Sequence, residues 1–130
     1  MAAPTTPKSR PRANKAALRD AVAALNSGSP EDYVALFRAD ATLHGFPAGI
    51  EDVDALRRFH AATSDTFPEA SVTLDDAVAE SDRVATRFTW RAPQGPGWAL
   101  EARGGAVVRF ADGRIAECWN LPAELHAVAS

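Results

Sequence analysis

An α+β domain is what this sequence predicts, and three observations carry it. Up to Phe67 the apolar residues recur at helical spacing, and after Pro68 the period drops to two. From there the chain alternates in four runs, parted by SDR, a Gly/Pro cluster and ADG. Helices followed by an antiparallel meander give one curved sheet folded over helices, with no repeat and no second domain.

Each element has its own local warrant. MAAPTTPKSRPRANK is rich in Pro, Thr and Arg and has no apolar h-region, so it is not a secretory signal. Residues 1–14 are expected as a disordered, basic, Pro-rich tail and residues 15–130 as the single domain. KAALRDAVAALNSG sets Leu18, Val22 and Leu25 on one helix face, with Gly28 as its stop. SPEDYVALF restarts a helix, with Ser29 as N-cap, Pro30 at the first helical position and Asp32 in the capping-box position. ATLHG is a short strand candidate. EDVDALRRFHAATSDTF is the clearest helix, with Val53, Leu56, His60, Thr63 and Phe67 on one face. Glu51, Asp52 and Asp54 suit the positive end of its dipole.

SVTLDDAVAE and VATRFTWR then alternate as strands, APQGPGW reads as a loop, and ALEARGGAVVRF turns at ADG into RIAECWN; Phe88 and Trp90 share the Val84 face, and Val108, Phe110 and Ile115 form a second apolar patch.

Composition narrows the function. The chain has 130 residues, 46% of them apolar, which supports one core. A net charge of −3 gives no reason to expect a nucleic-acid partner. No apolar run approaches the roughly 20 residues of a spanning helix, so no membrane partner is expected. The single cysteine, Cys118, cannot form an intramolecular disulfide and suits a reducing compartment; a cytoplasmic location is expected. His44, His60 and Asp76 stand singly, without H-x-H, H-E-x-x-H or C-x-x-C spacing, so no metal site is read.

Three stretches, YVALFRADATLHG, FPEASVTLDDAVAESDRVATRFTWR and VVRFADGRIAECWN, together resemble the SnoaL-like polyketide cyclase family. That family belongs to the NTF2-like superfamily, alongside ketosteroid isomerases and limonene-epoxide hydrolases. The likeness runs from Leu25 to Leu125, and its most specific element is the ending F-x-D-G-x-I-x-E-x-W. It implies a cone with three N-terminal helices on a strongly curved, mostly antiparallel sheet. It also implies a homodimer formed through the outer sheet face. The implied activity is a cofactor-independent enzyme of cyclase or isomerase type, acting on a polyketide-like or polycyclic small molecule. A non-catalytic small-molecule binder is the alternative, and an epoxide hydrolase comes last. In these cyclases an acid near the end of the last strand moves protons; the aligned position here holds Asn120. An amide can bond a carbonyl or an enolate but cannot shuttle a proton at neutral pH.

Asp76, alternating with Val72, Leu74 and Val78, is expected on their apolar face as a relocated acid, where burial would raise its pKa. The alternative is an exposed acid at a bulge, or one paired with Arg83 or Arg87. His44, beside Gly45 and Phe46, is expected near the pocket mouth as a base or an orienting group. His60 is either a substrate contact or a satisfied core histidine. Phe46, Phe59, Trp90, Trp98 and Trp119 are candidates for holding flat rings, with core packing as the alternative for each and Trp98 the best placed for a pocket lid or a subunit contact. Arg103 is the candidate for a ligand carboxylate. Strand parity puts Trp119 with Ile115 and Glu117, and Asn120 with Cys118 and Ala116. Asn120 would then point away from an Ile115-lined pocket unless a bulge intervenes.

Overall fold

The structure is a computed structural model, and it describes residues 9–129. Its elements are α1 (Ser9–Asn26), α2 (Pro30–Val34), β1 (Phe37–His44), α3 (Val53–Thr66), β2 (Ser71–Glu80), β3 (Arg83–Gly95), β4 (Trp98–Ala111) and β5 (Arg114–Ala129). Helix α1 starts inside the expected tail: residues 9–14 are helical, and Asn14, one turn before Leu18, is buried. Residues 1–8 of that tail lie outside the described residues. The Asn14 Nδ2 finds no hydrogen-bond partner among the described residues, and nothing in the structure explains it.

Gly28 ends the first helical hairpin at φ +87°, a region that favours glycine. Pro30 opens α2 as expected, but the Ser29 side chain makes no capping bond. Helix α3 is capped by Asp52, whose side chain accepts from the Ala55 amide at 2.8 Å.

The five strands form one sheet in the order β1-β5-β4-β3-β2, parallel only between β1 and β5. Ser81-Asp82 and Asp112-Gly113 are two-residue hairpin loops, and positive φ at both Asp112 and Gly113 marks a type I′ turn. The expected Gly/Pro loop is shorter than its sequence suggests. Strands β3 and β4 pair out to Gly95 and Trp98, so only Pro96-Gly97 turns. The C-terminal stretch continues β5 to Ala129 along the whole of β4.

Five register shifts interrupt the ladders, and three of them set which side chains face inward. One extra residue sits on β2 between Leu74 and Asp76, one on β5 between Ile115 and Glu117, and one on β5 between Leu121 and Glu124. A bulge bends its strand and reverses side-chain parity beyond it. The third falls at Pro122, which has no N–H for the ladder. Helices cover the concave face, where Leu18, Val34, Val53 and Leu56 pack on Val84, Val108, Phe110, Ile115 and Cys118. Asn26 ties α1 to the sheet edge: its amide donates to the Val72 carbonyl at 2.8 Å and accepts from the Val72 N–H at 2.7 Å.

Candidate functional site

Residues directly opposite one another on paired strands share a face, so the ladder maps the concave side row by row. The deepest row, Leu43, Cys118, Val108, Val84 and Ala79, is closed by helices, with Cys118 3% and Val84 0% exposed. Next comes Asn120, Ala106, Thr86 and Ala77, all half-buried. Beyond it lie Gly104, Phe88 and Leu74, then Leu125, Ala102, Trp90 and Val72. The members of these rows are half-buried, apart from Leu125, which is 57% exposed. The concave side is therefore packed at its base and opens toward the end where Trp90 meets Phe67 edge-on, ring centroids 5.2 Å apart.

Asn120 stands where this opening begins. The bulge at Ala116 restores parity, so Ile115, Cys118 and Asn120 all face inward while Glu117 and Trp119 face outward. Its amide Nδ2 donates to the Gly45 carbonyl at 3.3 Å. Gly45 holds φ +76° as the chain leaves β1, and a Cβ there would collide with the Asn120 backbone carbonyl. Thr86, in the same row, spends its hydroxyl on the Ala106 carbonyl at 3.1 Å.

Two further polar groups come from the helices. The His60 ring on α3 lies 4.9 Å from Tyr33 on α2 and 5.3 Å from Phe59, edge to face in both cases. Burial pushes the His60 imidazole down to about 4, so it is neutral at pH 7. Burial, together with the nearby Cys118 thiol, raises the Tyr33 phenol above its ordinary value. The Cys118 thiol is itself pushed up to about 12 by burial. Sequence reasoning missed Tyr33 because it sits inside a helix of only five residues. Its signal was available: it is the chain's one tyrosine, four residues before the buried Phe37.

Asp76 and His44 are not part of this group. The β2 bulge reverses parity after Leu74, so Ala77 and Ala79 turn inward and Asp76 and Val78 turn out. Asp76 is exposed and accepts from Arg87 Nη2 at 2.7 Å. His44 pairs across the ladder with Trp119 on the convex face and stacks on it at 5.3 Å. Its Nε2 lies 2.7 Å from Glu117 Oε2, and Arg109 Nε donates to the other carboxylate oxygen at 3.3 Å. The His44 bond, then Arg109, hold the Glu117 carboxyl below its usual range.

Trp119 carries Arg83 over its ring and faces away from the cone. Arg103 also faces outward; with Arg91 it clamps the buried Glu101 at 3.1 and 3.2 Å. Of the expected aromatic contacts, Trp90 lies on the concave face and Phe46 packs against the core. Phe59 and Trp98 are each 45% exposed, Trp98 beside the Pro96-Gly97 turn.

Two surface concavities lie elsewhere. One of 510 Å³ is lined by Arg38, Asp40, Asp112 and Arg114, and one of 440 Å³ by Val78, Arg83, Ala85 and Val107. The first is occupied with its own ion pairs, and the second belongs to the convex face. Both are rimmed by charged side chains, Glu80 and Asp82 among them in the second, and lie off the concave face; the neutral polar groups on that face make the open half of the cone the candidate site. Among the described residues no three His, Cys, Asp or Glu side chains converge as a metal-binding group. No described helix is long and apolar enough to cross a membrane.

No curated protein sequence matches this chain. A family model described as a SnoaL-like domain matches residues 18–118. Solved structures share the fold. AclR of Streptomyces galilaeus, named a candidate hydroxylase, is 21% identical over 89% of this chain and 80% of its own, with a TM-score of 0.73. A loop-truncation variant of IdmH is 28% identical over 88% and 92%, with a TM-score of 0.70. A candidate polyketide cyclase from Bacillus cereus is 18% identical over 77% and 67%, with a TM-score of 0.66. The cone expected from the sequence is thus the NTF2-like fold. Matched from Leu18 on its first helix to Cys118 on its last strand, the chain belongs to the SnoaL-like family.

Proposed function

We propose that this protein binds an uncharged, polyketide-like or polycyclic small molecule in the open half of its cone. One observation carries this reading: among the described residues none on the concave face of the sheet is charged, yet neutral polar groups gather there. A charged ligand would lose its hydration without a counter-charge, whereas a neutral one would lose little and gain apolar contact from Phe88 and Trp90.

A cyclase or isomerase is the second reading, favoured by the Tyr33 phenol, a hydrogen-bond donor fit to stabilise a developing oxyanion. General acid/base work wants a group that titrates near the operating pH. His60 lies well below that and Cys118 well above it. Catalysis here would therefore act by hydrogen bonding and by holding the substrate folded. The homodimer remains part of the proposal. Val78, Ala85, Val107 and Leu121 on the convex face, two of them more than half exposed, are an apolar stripe for a second copy.

A thermal-shift panel of uncharged polycyclic ketones tests the binding site. Ligand stabilisation is expected to vanish in Trp90→Ala and to persist in Asp76→Asn. The reverse pattern would move the site to the convex face.

A further inference from the structure

The outer face carries a linked cluster that the cone does not use. His44 on β1, Glu117 and Trp119 on β5, Arg109 on β4 and Arg83 on β3 all belong to it. The Glu117 carboxylate, held below its usual range by His44 and then Arg109, can only accept. The His44 Nε2 must therefore carry the hydrogen it shares with Glu117 Oε2 at 2.7 Å. The other carboxylate oxygen accepts from Arg109 Nε at 3.3 Å. The His44 ring also lies flat on the Trp119 indole, centroids 5.3 Å apart. His44 is thus held twice, by an edge bond and by a stacked face.

The next residue along each strand meets its counterpart on the cone side. His44 and Trp119 are the last pair of the β1–β5 ladder, and Gly45 and Asn120 follow them. The Gly45 carbonyl can only accept, so the Asn120 group 3.3 Å from it is the NH₂. Its Oδ1 turns away from Gly45, and no donor among the described residues reaches it. The Gly45 contact is longer than an ordinary N–H···O bond and does not hold the chain end by itself. Strand β1 is also an edge of the described sheet, paired only with β5. What keeps the Gly45 carbonyl opposite Asn120 is its neighbour His44, anchored on the other side of the same strand pair.

We propose that His44 and Glu117 are positioning residues for the ligand site. Their bond on the outer face fixes the Gly45 carbonyl, which holds the Asn120 NH₂ and turns its Oδ1 into the cone to accept from a ligand hydroxyl. The ligand part of this assignment rests on the cone being the binding site.

Two measurements on the full chain test it, the first without ligand. In a ¹⁵N-labelled sample the bonded one of the two Asn120 Nδ2 hydrogens should shift little with temperature. In Glu117→Leu both should respond as a free amide does. Glu117→Gln keeps an acceptor for the His44 Nε2 hydrogen and should restore the native pattern. His44→Leu removes the same bond from the other end and serves if Glu117→Leu does not fold. The second measurement is titration calorimetry with 6-hydroxy-1-tetralone and with 1-tetralone, which lacks the hydroxyl. The native chain and Glu117→Gln should prefer the hydroxylated probe about fivefold, as one hydrogen bond of ordinary worth allows. Glu117→Leu should lose that preference while its affinity for 1-tetralone stays within about twofold of native, a change smaller than one hydrogen bond. An unchanged Asn120 amide in Glu117→Leu and His44→Leu, or an equal loss of both probes, would overturn the positioning role. Equal affinity of the native chain for the two probes would overturn the acceptor role of Asn120. Failure of both to bind at millimolar concentration would overturn the cone as the site, and the amide signals would still decide whether the outer bond orients Asn120.

Discussion

Gly45→Ala should lower the unfolding free energy by roughly 2–4 kcal/mol, the range for a strained backbone combined with a steric clash. Two independent costs meet at this residue. Its φ of +76° is a conformation that side chains bearing a Cβ rarely adopt. The new methyl would also point at the Asn120 backbone carbonyl, and neither backbone can move alone. Leu43 and His44 are laddered to β5 just before it, and the Asn120 amide holds the Gly45 carbonyl from the other side. Relief would have to come from peeling β1 off β5, which would break the ladder at His44 and free Asn120. A urea titration should show the midpoint falling with an unchanged m-value. Glycines in open turns are the control: Gly49 has φ +93° but nothing near its missing Cβ, so alanine there carries the conformational cost alone. Equal losses at Gly45 and Gly49 would mean that the Asn120 contact contributes nothing.

Acid should expose His60. Its folded pKa is about 4, against about 6.5 for an unperturbed histidine. Between those values the unfolded chain binds a proton that the folded chain refuses. Stability from this site is therefore complete above about pH 6.5 and is lost as pH falls toward 4. At its steepest the loss approaches about 1 kcal/mol per pH unit, since one unit of pKa is worth about 1.4 kcal/mol. The Glu117 carboxyl, lowered by His44 and Arg109, adds a second loss, confined to the carboxylate range below about 4.3. Denaturation midpoints of the native chain and of His60→Phe, taken from pH 7 to pH 4.5, separate the two. The phenyl ring keeps the edge contact with Tyr33 and cannot titrate, so the slope should flatten. A variant that lost stability as steeply as the native chain would show that His60 is already hydrated.

Where the sequence read true, local chemistry decided the outcome. Asp112-Gly113 turned as its dipeptide demands, and Phe88, Trp90 and Val84 share a face because β3 runs without a bulge past all three. Phe110, Val108 and Ile115 likewise fall in one buried patch. Where it misled, a single inserted residue was responsible. Alternation put Asp76 beside Leu74, but the bulge between them sent the carboxylate outward to Arg87. Strict parity separated Ile115 from Asn120, and the extra residue at Ala116 rejoined them. Such bulges stabilise curvature over the whole sheet, and no short stretch of residues announces them. His44 illustrates a different blind spot. Its face depends on the register of a parallel pairing with β5, where its partner Trp119 lies 75 residues along the chain, invisible to any local pattern. Tyr33 was legible only as a capped helix turn, since its meeting with His60 needs two helices folded together.

The three tryptophans make the decisive experiment simple, because each reports on a different part of the surface. Trp90 lies on the concave face, Trp119 on the convex face under Arg83, and Trp98 at the exposed hairpin turn. Their indole N–H signals, assigned in a ¹⁵N-labelled sample, should be followed while 6-hydroxy-1-tetralone is added. The Trp90 indole and the Asn120 side-chain amide should shift together and saturate at one ligand concentration, while Trp119 stays still. Movement of Trp119 with Trp90 and Asn120 unchanged would contradict the account, and would place the ligand on the outer face beside His44 and Glu117.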